Sequence, residues 1–173
     1  QDSFPAQAGF QVMVVDGSGA FKKLELEFQS GGDPEIYGVS FDCEKGIALD
    51  NAPFRGSSGI EFTSVNQEFY RQQVEKMNIK LMILQFGVNV IPYVREEYDY
   101  HKKLIKKQLE FLKALSPDLN ILVIGPSDMA RKKGTEYVSY PNVPALRDAM
   151  RDAAFETDCA FWDLYEAMGG ENA

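Results

Sequence analysis

With 173 residues, 45% of them hydrophobic and 25% charged, the chain is long enough to bury one real core and has the charge content of an ordinary globular domain, with room for a small appendage. A formal net charge of −8 excludes nucleic acid as the main partner, because phosphate binding needs a basic surface. No stretch approaches the ~20 apolar residues of a membrane span. The two cysteines, Cys43 and Cys159, make no disulfide framework; each sits in an apolar run and reads as a buried free thiol.

The chain opens Gln1-Asp2-Ser3-Phe4-Pro5, with neither the basic start nor the apolar middle of a leader peptide. The expectation is that such a segment has been removed or that the chain starts inside a longer protein. Residues 10–15 read as a strand and Asp16-Gly17-Ser18-Gly19 as a hairpin turn. Over residues 21–29, Leu24, Leu26 and Phe28 face one way and Lys23, Glu25 and Glu27 the other, the pattern of a half-buried antiparallel strand. Gly31-Gly32-Asp33-Pro34 breaks the chain, residues 35–43 form a third strand and residues 47–50 a short fourth. Residues 1–51 are therefore expected to be a small antiparallel β region.

The period changes after residue 60. Ser64 with Gln67 three positions on suggests a capping box, and Val65, Phe69, Val74 and Met77 follow at helical intervals. A buried strand is expected at 79–86. A long helix at 95–115 carries Tyr98, Leu104, Ile105, Leu109, Leu112 and Leu115 on one stripe and ends at Ser116-Pro117. Lys102, Lys103, Lys106 and Lys107 read as its solvated face. A strand at 119–124 ends at Gly125-Pro126-Ser127-Asp128; a helix at 143–157 tolerates Pro144 in its first turn; a third strand follows at 159–164. Buried strands joined by amphipathic helices predict a parallel sheet, whose ligands bind at the C-terminal strand ends.

Two loops at that edge carry the chemistry. Gly87-Val88-Asn89 directly follows the apolar run Ile79-Lys80-Leu81-Met82-Ile83-Leu84-Gln85-Phe86, and Arg55-Gly56-Ser57-Ser58-Gly59 precedes the first helix. A backbone N–H at a tight glycine turn and an asparagine amide at a strand end can together bind a developing oxyanion. Both loops also suit plain turns. Ser58 does not fit the Gly-x-Ser-x-Gly elbow, because Gly56 lies two before it but Ile60 two after. Two other constellations are discounted. Tyr98-x-x-x-Lys102 lacks the glycine-rich loop of a dinucleotide site, and Glu97 with His101 offers two metal ligands without a third.

The order small-Ser-Gly, helix, buried strand, Gly-x-Asn resembles the SGNH (GDSL-type) hydrolases. The wider stretches RGSSGIEFTSV, LMILQFGVNV, ILVIGPSDM and CAFWDLYEAMGG are similar to a secreted, carbohydrate-associated subgroup with a β-rich insertion between its first and second blocks. The resemblance implies an α/β, flavodoxin-like three-layer parallel sheet over residues 52–173, an incomplete SGNH core, with residues 1–51 as part of the inserted β domain. It implies that Gly59 is the backbone donor and Asn89 the side-chain donor of an oxyanion hole, in a serine esterase that removes a small acyl group, such as acetyl, from a carbohydrate or glycan. It implies no cofactor and no metal, a small-molecule or glycan ester as substrate, and a secreted or periplasmic location.

The chain departs from the family at both ends. Asp2-Ser3 imitates two letters of the Gly-Asp-Ser nucleophile block, but Gln1 precedes them and no strand comes before. The sole histidine, His101, lies in the lysine-rich helix rather than in a late Asp-x-x-His block, and reads as a solvated helix-face residue. Asp163 reads as a strand-end carboxylate capping the next turn. The chain alone is therefore expected to be inactive and to associate with a missing fragment or another copy. The rival reading is a non-catalytic glycan-binding module, with Tyr37, Tyr93, Tyr137 and Tyr140 as stacking rings.

Overall fold

A computed structural model describes residues 9–15, 23, 25–27, 29, 32–33, 35–41 and 45–172. The chain divides into two compact units, Met13–Phe54 on the one hand and Gln1–Val12 with Arg55–Ala173 on the other.

The larger unit is α/β. Its parallel sheet has the order β1 (Leu81–Gln85), β2 (Asn120–Ile124), β5 (Ala160–Trp162), with Leu81 opposite Asn120 and Leu122 opposite Ala160. The expected strands are thus present and parallel, each shorter than expected, β2 by its first residue alone. Between them run α2 (Asp99–Lys113) and α3 (Val143–Glu156), which pack against each other. Adjacent strands taken in chain order place both crossover helices on the same face. The stripe Ile105, Gln108, Leu109 and Leu112 is the buried side of α2, and Asp99 and Lys113 sit at the ends where the helix dipole favours their charges. On α3, Ala149, Ala153 and Ala154 beside Leu146 and Met150 keep the buried face thin, so the helix approaches closely. Pro144 occupies the first turn, where its missing N–H costs nothing.

Alternation along the strands separates the two faces of the sheet. Ile121 and Val123 are buried with Met82, Leu84 and Phe161 packed beside them under the helices. The opposite alternation leaves Leu81, Ile83 and Trp162 about half exposed, at 52%, 48% and 49%. Of the three-layer arrangement, the described residues supply the sheet and the helical layer on one face.

One expectation is corrected. Helix α1 (Gln67–Lys76) is capped by Asn66, whose side chain accepts from the Phe69 N–H at 2.9 Å, not by Ser64. Ser64 lies in a 3₁₀ turn (Phe62–Ser64), its hydroxyl donating to the Glu61 carbonyl at 2.6 Å, and so cannot reach the helix amides. None of the described residues from 9 to 50 lies in a strand. Among the described residues of this region, Val14, Val15, Ile47 and Leu49 are 65–99% exposed. The expected turn at 16–19, Leu24, Phe28 and Cys43 fall outside the described residues.

The antiparallel sheet lies elsewhere, in a hairpin of β3 (Ala130–Lys133) and β4 (Glu136–Ser139) with Lys133 opposite Glu136. Gly134, at φ +66°, opens its two-residue turn. Finally, α4 (Leu164–Met168) follows β5 at once, with Asp163 as its cap accepting from the Glu166 N–H at 3.0 Å. The expected capping role of Asp163 is therefore what the structure shows.

Candidate active site

The loop after β1 turns sharply because Val90 and Ile91 both donate to the Gly87 carbonyl, at 2.8 and 3.3 Å. Gly87 sits at φ +109°, and a Cβ there would lie 3.2 Å from Met150 Sδ and from Pro126 Cβ. Only glycine meets both demands. Asn142, buried at the start of α3, holds the far side of this loop. Its amide donates to the Ile91 carbonyl at 2.9 Å and to the Tyr98 hydroxyl at 2.5 Å.

The Arg55–Gly59 loop is anchored from the other side. Gln108, 3% exposed on α2, accepts from the Thr63 N–H at 2.9 Å and donates to the Thr63 hydroxyl at 3.2 Å. Gly59 has φ +80°, and a Cβ on it would lie 2.7 Å from Phe86 Cγ. The residue just before the β1 loop is thus the floor under Gly59. Below it is a small apolar pocket lined by Phe62, Leu84, Phe86, Leu109 and Met150.

The two loops meet at Ser57. Asn89 Nδ2 donates to the Ser57 carbonyl at 2.8 Å, and the Gly59 N–H donates to Ser57 Oγ at 3.0 Å. Ser57 Oγ in turn donates to Glu61 Oε2 at 2.6 Å. The same carboxylate accepts from the Ile60 N–H at 2.8 Å and the Ser58 N–H at 3.3 Å. Partial burial pushes the Glu61 carboxyl up, but the bonds from the Ser57 hydroxyl and the Ser58 and Ile60 N–H groups outweigh it and hold the group below the ordinary glutamate value.

This arrangement has definite chemical capacities. Ser57 beside a carboxylate looks like a nucleophile and base, but Ser57 is 5% exposed and a carboxylate of lowered pKa is a poor proton acceptor. The pair is a structural clamp. The Asn89 amide has two protons; one is held by Ser57, and the other makes no bond among the described residues, on an exposed side chain. The Gly59 N–H is buried and donates to the neutral Ser57 hydroxyl.

The remaining residues singled out in the sequence do not join this cluster through any bond among the described residues. His101 is half-buried, not solvated. Its ring meets the edge of Tyr98, and Nε2 is buried without a partner among the described residues. Burial and the nearby Arg95 charge both push its pKa down. Lys102 and Lys106 bond Glu156 at 2.6 and 2.9 Å and tie α2 to α3, so only Lys103 and Lys107 form the solvated face. Tyr93 and Tyr137 are exposed, whereas Tyr140 lies under the Arg131 guanidinium, 5.2 Å from the ring centroid. Ser3 falls outside the described residues. Among the described residues no group of three His, Cys, Asp or Glu is arranged to hold a metal ion, and no helix is long and apolar enough to cross a membrane.

Glu61 and Gln108 went unremarked in the sequence, and Ser57 was named only as part of its loop. Gln108 had a signal, a polar residue inside the apolar stripe of α2. Glu61 had a weaker one, an acid just beyond a Ser-Ser-Gly turn whose N–H groups need acceptors.

No protein-family model and no curated protein sequence matches the chain. Among solved structures, it is similar to a chain described as "Peptidoglycan O-acetylesterase in action, 5 min", with a TM-score of 0.57 and 17% identity. The match covers 66% of this chain and 33% of that one, so the shared part spans a third of the solved protein's length. At this identity what is shared is the fold.

Proposed function

We propose that residues 52–173 are the core of an SGNH-type serine esterase that removes a small acyl group, acetyl in the simplest case, from a carbohydrate or glycan. Gly59 N–H and Asn89 Nδ2 are its oxyanion donors, stabilising the tetrahedral intermediate on the way to and from a serine ester. The nucleophile and base come from polypeptide beyond this core or from an associated fragment or copy, in a secreted or periplasmic protein whose residues 1–51 belong to an inserted β region. The observation that carries the reading is the bond from Asn89 to the Ser57 carbonyl, which brings the Gly-x-Asn loop onto the Ser-Gly loop at the C-terminal edge of a parallel sheet. The fold shared with a peptidoglycan O-acetylesterase supports the substrate class.

The test is Asn89→Ala in the longer protein that contains this core and a nucleophile. The expected result is a kcat lower by roughly 10²–10³ with KM nearly unchanged, because the bond strengthens mainly in the transition state. Normal turnover with a lowered thermal midpoint would defeat the assignment. The 173-residue chain alone should hydrolyse p-nitrophenyl acetate no faster than its Ser3→Ala variant, since no serine is hydrogen-bonded to His101 among the described residues.

A further inference from the structure

We propose that Glu61 and Ser57 are positioning residues that set the two donors relative to each other, a role that rests on the oxyanion reading above. Glu61 accepts from the Ser57 hydroxyl, the Ser58 N–H and the Ile60 N–H, donors that bracket Gly59 on both sides. A carboxylate with three donors fixes the path of the chain through Gly59 at its left-handed φ of +80°.

The clamp also fixes a proton. Because the Ser57 hydroxyl points its hydrogen at Glu61 2.6 Å away, its lone pairs face the Gly59 N–H, 3.0 Å away. The carbonyl of the same residue takes the Asn89 amide. One serine therefore touches both donors, the first through its side chain and the second through its backbone. In the resting state Ser57 Oγ keeps the Gly59 N–H satisfied, and an incoming oxyanion, a better acceptor, competes for it. The other half of the hole is the second Asn89 proton, oriented by the first. The device needs ionised Glu61, since a protonated carboxyl gives up acceptor capacity that the three donors use.

The experiment is a pH titration of the ¹⁵N-labelled 173-residue chain, following the backbone amides of Ser58, Gly59 and Ile60 and the Asn89 side-chain amide. All four signals should share one inflection below the ordinary glutamate value. In Glu61→Gln that inflection should vanish from all four, while Glu61→Asp, which keeps the charge, should retain it. In Ser57→Ala the Gly59 and Asn89 signals should lose the inflection while Ser58 and Ile60 keep it. An Asn89 or Gly59 signal that ignores pH in the native chain, or an inflection that survives in Glu61→Gln, overturns the proposal. Where Glu61→Gln gives no dispersed spectrum, the native titration decides alone by whether Gly59 and Asn89 titrate together. No ester is hydrolysed in these measurements, so coupling can hold where the oxyanion reading fails, and the Asn89→Ala kinetics fail or succeed independently.

Discussion

The chain uses one small device at two places, and the difference between them separates a site from a tether. At the first, Ser57 Oγ donates to Glu61 at 2.6 Å and accepts the Gly59 N–H at 3.0 Å. At the second, Ser139 Oγ donates to Asp128 at 2.6 Å and accepts the Asn172 N–H at 2.8 Å. Locally the bonds match. Yet Glu61 takes two further N–H donors, while Asp128 Oδ1 is buried with no partner among the described residues. Ser139 ties Asn172 and Asp128 to the β3–β4 hairpin, its own N–H also donating to Asn172 Oδ1 at 3.2 Å. The Ser57 clamp differs in that the carbonyl of the same serine holds the Asn89 side chain of the β1 loop.

The largest effect expected from breaking this comparison is at the glycines. Gly59→Ala combines a left-handed backbone with a Cβ 2.7 Å from Phe86 and should cost roughly 2–4 kcal/mol. Gly125, in the loop that leads to Asp128, has no left-handed φ and only a Cβ 2.8 Å from Phe161 Cζ. Gly125→Ala should cost about 1–3 kcal/mol through overpacking alone. Urea unfolding of both variants measures the gap; equal losses would mean that the backbone conformation at Gly59 carries no weight.

A smaller difference is expected at the serines. Ser57→Ala strips an acceptor from a buried N–H and a donor from a carboxylate, and should cost about 1–3 kcal/mol. Ser139→Ala should cost about 1 kcal/mol, because the exposed Asn172 can turn to water. A greater loss at Ser139 in the same unfolding series would reverse the ranking of the two clamps.

Acid sharpens the contrast further. Glu61 has a folded pKa below its ordinary 4.5, so its contribution to stability is complete above that value and is lost as pH falls through the lower folded value. The unfolding midpoint of the native chain should therefore drop across that window more steeply than that of Glu61→Gln. Parallel curves would show that Glu61 is not differentially stabilised by the fold. Glu156, held down to about 2 by hydrogen bonds from Lys102 and Lys106, titrates lower still and stays ionised through most of this window.

The two clamps also show what was legible beforehand. The parallel strands could be read because Ile79 to Phe86 and Leu119 to Ile124 are apolar runs between amphipathic helices, and burial on the helical face demands that pattern. Gly59 and Asn89 could be singled out from position and residue type. What could not be read is what each donor does at rest. The Asn89–Ser57 and Gln108–Thr63 bonds join residues distant in sequence, and only the folded chain brings them together. The hairpin of β3 and β4 was missed because its strands are short and charged, with Arg131, Lys132 and Lys133 giving no apolar alternation. Only Gly134-Thr135 between Lys133 and Glu136 marked the turn.

The smallest effect is at Asn89, and it tests the link between the clamp and the second loop. On the isolated chain, Asn89→Ala removes one bond from an exposed amide to the Ser57 carbonyl and should cost only about 0.5–1.5 kcal/mol. Its partner is a backbone carbonyl, which Ser57→Ala leaves in place. If the hydroxyl and carbonyl of Ser57 were independent, the two substitutions would add. The Glu61 clamp sets the orientation of the whole residue, so releasing the hydroxyl should already loosen the Asn89 bond. The double variant is then less destabilised than the sum of the singles, by at least the ~0.5 kcal/mol that separates coupling from ordinary scatter. Asn89→Ala with Ser139→Ala has no shared partner among the described residues and should be additive within that margin. Two double-mutant cycles in urea resolve the matter. Additivity in both would reduce Ser57 to a tether like Ser139, whereas coupling confined to the Ser57 cycle marks it as the joint between the two donor loops.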